Sequence, residues 1–116
     1  MARVFGYLRV STKGQTTENQ KKEILDKGFA VNEWISEEAV SGTVEAFERP
    51  RFKRMIDMAQ AGDIIITVKI DRLGRTSSDT LTAIKKMKEL GLSVVIIQLG
   101  TTDMTSSAGK MMMNVL

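Results

Sequence analysis

Tyr7, Arg9 and Ser11 stand at alternate positions of the apolar stretch RVFGYLRVS, so an extended backbone there places a phenol, a guanidinium and a hydroxyl on one face. A second group of reactive types, Asp71-Arg72-Leu73-Gly74-Arg75, follows the β-branched run Asp63-Ile-Ile-Ile-Thr-Val68. A third, Arg49, Arg51, Lys53 and Arg54, surrounds Pro50. A serine among arginines suits phosphoryl rather than acyl transfer. The guanidinium fork binds phosphate oxygens bidentately, stays charged at any working pH, and neutralises the charge gathered by a phosphodiester under in-line attack. Each residue also has a plainer reading: a serine after a strand is most often a turn residue, an arginine cluster is usually a solvated face, and Gln20 completes a capping box with Thr17. The coincidence of Arg9, Ser11, Asp71, Arg72 and Arg75 at strand ends is what favours chemistry.

Missing residue types narrow that chemistry. The 116 residues include no histidine and no cysteine, which removes thiolate nucleophiles, zinc fingers, metalloprotease helices and every histidine-dependent serine triad. Any reaction must run on Ser, Asp, Glu, Lys, Arg or Tyr. Gly100 to Lys110 lacks the spacing and the Ser/Thr of a P-loop, and no G-x-G-x-x-G occurs. A phosphoacceptor receiver domain would need acids at the early strand ends, where this chain has Arg9 and Ser11. The 17 basic and 14 acidic residues give a net charge of +3, which permits nucleic-acid binding without requiring it. The longest apolar run, Val94 to Ile97, is too short for a bilayer, and the cysteine-free composition fits a cytoplasmic location.

The elements that must position these side chains follow from periodicity. Residues 3–10 read as a strand, and Thr17 starts a helix whose apolar stripe is Ile24 and Leu25, ending at Gly28. A second strand spans Val31 to Ser36, followed by a long polar segment, Glu37 to Glu48. Pro50 suits the first turn of a second helix, where Phe52, Met55, Ile56 and Ala59 recur at helical spacing before Gly62. Asp63 to Val68 reads as a strand buried on both faces. A third helix begins near Ser77 or Ser78 and carries Leu81, Ile84, Met87 and Leu90 inward to Gly91, and Leu92 to Gln98 forms a fourth strand. Ser106 to Leu116 reads as the first turns of another helix. This rhythm predicts a single α/β domain with a mainly parallel sheet of four to five strands and helices on both faces. Ligands of such sheets sit at the carboxyl ends of the strands.

Those same residues resemble the catalytic domain of the serine recombinases, the resolvase/invertase family. Tyr-Leu-Arg-Val-Ser-Thr at 7–12 looks like its Y-x-R-V-S motif, and Asp-Arg-Leu-Gly-Arg at 71–75 matches its second motif. Ser41-Gly42 and Glu48-Arg49-Pro50 fall between them in the expected order, and Glu38 stands where relatives usually have Asp. The resemblance implies a DNA recombinase that cuts and rejoins strands at specific sites, with Ser11 as the nucleophile forming a 5′-phosphoserine link. It implies Arg9, Arg49, Arg72 and Arg75 as phosphate-clamping arginines and Asp71 as their companion acid. Gln20 and Ser41 would line the site and Tyr7 would pack and position. No metal and no nucleotide cofactor is implied, because the phosphoserine conserves the bond energy. Residues 1–105 would form the catalytic domain and 106–116 the start of a long dimerisation helix. That helix and a C-terminal DNA-binding domain would continue past Leu116, so the fragment is expected to be inactive alone. The implied partners are DNA and a second copy, with a tetramer in the synaptic complex. Two rivals stay open: a non-catalytic phosphate- or nucleic-acid-binding module on the same sheet, and a structural domain assembling through Met111 to Leu116.

Overall fold

The β-branched runs become the strands of a four-stranded sheet in a computed structural model that describes residues 2–10, 16–38, 44–69, 73 and 76–114. The strands are β1 (Val4–Arg9), β2 (Glu33–Glu37), β3 (Ile64–Thr67) and β4 (Ser93–Ile96), and the helices are α1 (Glu18–Asp26), α2 (Pro50–Met58), α3 (Ser77–Glu89) and α4 (Ser107–Asn114). The pairings among these four strands are parallel and the order is β2-β1-β3-β4.

This order fixes where the helices lie. The chain steps one way from β1 to β2 and the other way for every later strand. Right-handed crossovers then put the first connection on one face and the next two on the opposite face. The packing agrees. Ile24 of α1 joins Leu8, Ile66, Val95 and Ile97 in one apolar layer. Phe52 and Met55 of α2, Ala83, Ile84 and Met87 of α3, and Met113 of α4 join Phe5, Tyr7, Ile65, Val94 and Ile96 in the other. Leu73, in the middle of the second motif, is fully buried in this larger layer.

Several local expectations change on folding. The last strand was expected to run from Leu92 to Gln98, but pairing stops at Ile96 and Ile97–Leu99 winds into a 3₁₀ turn. Gly100 follows at φ 100°, a left-handed conformation suited to glycine, and the chain turns back so that Asp103 bridges Val95 antiparallel. Leu90, expected to point inward, is half exposed because α3 has reached its C-cap there, and Thr80 takes an inward place instead. Leu25 is likewise half exposed, leaving Ile24 as the buried residue of α1. At the other end of α3, Thr76 caps as a threonine should, its Oγ1 accepting from the Asp79 amide at 3.1 Å.

Two contacts seat β1 and β3. Gly6 lies under Trp34: a Cβ there would stand 2.5 Å from the ring atoms Cε3 and Cζ3. Asp63, just before β3, accepts from the Arg3 and Gln60 amides, each at 2.9 Å. These backbone bonds, first Arg3 and then Gln60, hold its carboxyl below the ordinary carboxylate value despite burial.

Gly6→Ala is therefore expected to cost about 1–3 kcal/mol by overpacking, and to shift the emission of Trp34, the single tryptophan. Thermal melts and fluorescence of the two proteins check this. For Asp63 the folded pKa lies below the unfolded value of about 3.9, so its contribution is complete above that pH and is lost as pH falls through the folded value. Asp63→Asn is expected to lose roughly 1–3 kcal/mol at neutral pH, since an amide supplies one acceptor where two are used. The gap to the parent should narrow below about pH 4, as read from melts across an acid series.

Candidate functional site

In an open parallel sheet the ligand crevice opens at the carboxyl ends of the strands where the order reverses. Here that place is between β1 and β3, the strands from which both motif loops depart. Arg9 ends β1 and is buried, opposite Glu37 in the register with β2. Ser11, Ser41, Asp71, Arg72 and Arg75 lie outside the described residues. The described part of the site consists of Tyr7, Arg9, Gln20, Arg49 and one residue the sequence reading did not single out for the site, Glu37.

Gln20 does not complete a capping box. Thr17 sits at the N-cap of α1 without a side-chain cap bond, and the Gln20 amide reaches β1 instead. Its Nε2 donates to the Arg9 carbonyl at 3.1 Å, and its Oε1 accepts from the Arg9 amide at 3.4 Å. The reason is topological. The Val10 amide bonds the Glu37 carbonyl, so by alternation the Arg9 amide and carbonyl face the β3 side. Pairing of β1 with β3 ends at Gly6. Gln20 thus replaces the ladder partner that β3 does not provide, and it holds the end of β1 extended.

Tyr7 is fully buried, its ring edge-on to Phe52 at 5.0 Å. Its hydroxyl donates to Glu37 Oε1 and accepts from Arg49 Nη1, both at 3.2 Å. Burial, first of all, pushes the phenol well above its usual pKa, and the hydrogen bond and charge of Arg49 only partly offset this. A phenol that stays protonated and is engaged on both sides is a strut, not a nucleophile.

Arg49 is enclosed. It occupies the N-cap position of α2 with Pro50 next to it, and its side chain is among the largest fully buried ones. Besides Tyr7, it donates from Nε to the Val44 carbonyl at 2.9 Å, bracing the segment that leads into α2. The basic cluster expected around Pro50 therefore divides, with Arg49 inside and Arg51, Lys53 and Arg54 exposed. Glu37 and Glu38 divide too. The resemblance points to Glu38 at an acidic position, yet Glu38 is exposed and Glu37, the last residue of β2, is the buried one. Glu37 Oε2 accepts from the Arg51 amide at 3.1 Å and Oε1 from the Phe52 amide at 3.0 Å, so a carboxylate from β2 caps α2. With two adjacent glutamates where β2 ends, residue type alone does not mark which one is buried.

The geometry defines an open parallel α/β domain in which Arg9 stands at the carboxyl end of β1, where the strand order reverses. Residues 4–116 match the family described as Resolvase, N terminal domain, and the chain belongs to that family. It is 45% identical over 117 aligned positions to the transposon Tn2501 resolvase of Escherichia coli, covering 100% of this chain and 60% of that protein. It is 43% identical to the serine recombinase PinR of Escherichia coli (strain K12), with the same coverage. The chain thus spans 60% of the length of these relatives. Among solved structures, the N-terminal catalytic domain of TP901-1 integrase superposes with a TM-score of 0.74 at 23% identity, over 97% of this chain and 89% of that one. A resolvase family site-specific recombinase from Streptococcus pneumoniae superposes with a TM-score of 0.66 at 22% identity, over 99% and 83%. Both share the fold.

Replacing Gln20 with alanine removes the hydrogen bonds to the Arg9 amide and carbonyl and is expected to cost roughly 1–3 kcal/mol. Gln20→Glu, which keeps the acceptor and loses the donor, should fall between. Hydrogen exchange at the Arg9 amide reads the local effect and a melt reads the global one.

Proposed function

We propose that this domain is the catalytic part of a site-specific DNA recombinase that cleaves and rejoins strands through a covalent phosphoserine at Ser11. The observation that carries the reading is the relation over the whole chain to a transposon resolvase, with Tyr7-Leu-Arg9-Val-Ser11 and Asp71-Arg72-Leu-Gly-Arg75 both intact. The described geometry supports it: Gln20 fixes Arg9 at the end of β1, two residues before Ser11 in the chain, and the Tyr7 hydroxyl is unsuited to attack.

In this mechanism Ser11 Oγ attacks a backbone phosphorus in line and gives up its proton. The bond from phosphorus to the 3′-oxygen breaks, and that oxygen leaves as a hydroxyl after taking a proton. One phosphate ester is exchanged for another, so resealing is the same step in reverse, with a 3′-hydroxyl attacking the phosphoserine. Arg9, Arg72 and Arg75 neutralise the charge on the pentavalent phosphorus. Arg49 adds its charge from the interior, where low dielectric lengthens its reach. Asp71 orients an arginine or protonates the leaving 3′-oxygen, and Gln20 and Ser41 line the site.

The domain division and partners belong to the same proposal. Residues 1–105 form the catalytic domain, 106–116 begin the dimerisation helix, and the acting species is a dimer that assembles into a tetramer on DNA in the cytoplasm. Among the described residues no helix is long and apolar enough to cross a membrane.

The test uses the complete gene product and a duplex that it enriches from a random pool. The wild type is expected to form a protein–DNA adduct that survives denaturing electrophoresis. Ser11→Ala should bind the duplex with unchanged affinity and form at least 10³-fold less adduct, the order of loss expected when a nucleophile is removed. Adducts that persist in Ser11→Ala would place the nucleophile elsewhere, with Ser41 the next candidate.

A further inference from the structure

Resting on the recombinase reading above, we propose that Thr67 is a positioning residue for this reaction. Its hydroxyl pins β3 to β1 beyond their last ladder rung and sets how far apart the two motif-bearing strands stand where the crevice opens. A hydroxyl is unusual at this place. Thr67 follows Ile64-Ile65-Ile66 in β3, is fully buried, and belongs to a strand with an apolar layer on each face. A polar group so placed is costly unless it is bonded.

The ladder explains what it bonds. Ile64 donates its amide to the Arg3 carbonyl, and Gly6 is paired with Ile66. One more parallel rung would bring the Val68 amide to the Tyr7 carbonyl and the Arg9 amide to the Val68 carbonyl. Other partners have taken these groups. The Val68 carbonyl accepts from the Gln98 amide at 2.8 Å, in the 3₁₀ turn after β4. The Arg9 amide donates to Gln20 Oε1 at 3.4 Å, and the Tyr7 carbonyl accepts from the Thr67 hydroxyl at 2.9 Å. At Val68 the chain has therefore turned from β1 toward β4, and the threonine side chain spans the opening that this turn creates. Ser11 stands four residues beyond Tyr7, and Asp71 four residues beyond Thr67, so the bond sits at the root of both motif loops. A β-branched side chain has few χ1 wells, which makes threonine a stiff spacer. Valine copies its shape without the donor, and serine keeps the donor. A displacement of about 1 Å in a reacting arrangement lowers rates on the order of 100-fold, so the spacing acts on the chemical step without a contact to DNA.

The experiment compares wild type, Thr67→Val and Thr67→Ser in the complete gene product, following single-turnover adduct formation on the enriched duplex below the melting range of all three. Thr67→Val is expected to half-saturate the duplex at the wild-type concentration and, at saturation, to form adduct on the order of 10- to 100-fold more slowly. Thr67→Ser, which restores the donor, should bring the saturated rate back to within about threefold of wild type. Should Thr67→Val melt below the assay temperature, Thr67→Ala takes its place, since it removes the donor without setting a methyl group against the Tyr7 carbonyl. A saturated rate in the donor-free variant equal to wild type, or a slowing that serine does not reverse, overturns the proposal. So does a slowing no larger than the loss of folded protein measured in the same samples, which is what a merely structural hydroxyl would give. Absence of any Ser11-dependent adduct from the wild type is a different result: it overturns the recombinase reading first and the role of Thr67 with it.

Discussion

Strand β1 is the constraint on which the remaining architecture rests. It is the first strand of the chain yet lies inside the sheet, paired with β2 over five residues and with β3 over three. Because later strands are added on the side away from β2, the crossover helices must divide between the two faces. The unequal pairing has a local effect. β1 outruns β3, and its final residues need hydrogen-bond partners from outside the ladder. Gln20 provides them at Arg9, and the Thr67 hydroxyl, donating to the Tyr7 carbonyl at 2.9 Å, does so one alternation earlier. The end of β1 is thus held by the ladder on its β2 side and by side chains on its β3 side.

The polar network at Tyr7, Glu37 and Arg49 meets a second constraint, that buried charges must be bonded and near an opposite charge. An arginine and a glutamate this deeply enclosed would be costly singly. Together, with a phenol between them and helix amides around the acid, they tie β1, β2 and α2 into a unit. Such networks lose most when one member is removed. Both ends of the segment between β2 and α2 are attached to this unit, Glu37 at one end and Arg49 at the other, and the latter also grips the Val44 carbonyl.

Much of this was readable in the chain, and the rest failed for identifiable reasons. The β-branched runs, the proline at the start of α2 and the Phe52–Met55 stripe are local patterns, and they folded as read. The plainer reading of Gln20, as the partner of Thr17 in a capping box, fails because a tertiary need arises once β1 outruns β3. Leu90 fits the helical spacing, yet the helix ends there, and a period says nothing of where it stops. Glu37 and Glu38 are the same residue type at adjacent positions where β2 ends. Only the return of α2 to the end of β2 decides which is drawn inside. Arg9 and Arg49 stand out by their motifs, but no local pattern marks Arg49 as the one that is fully enclosed.

The capped start of α2 bears on how an anion can be recognised here. A helix N-terminus is ordinarily a ready receptor for phosphate, offering free amides and a positive pole. At α2 that receptor already has an occupant: the Arg51 and Phe52 amides are given to a carboxylate of the same chain. An incoming phosphodiester would meet a neutralised pole and find no vacant amides at these two residues. Under the proposed function, attraction of a nucleic-acid backbone to this edge would rest on side-chain cations, among them the exposed Arg51, Lys53 and Arg54. Attraction of that kind weakens steeply with ionic strength.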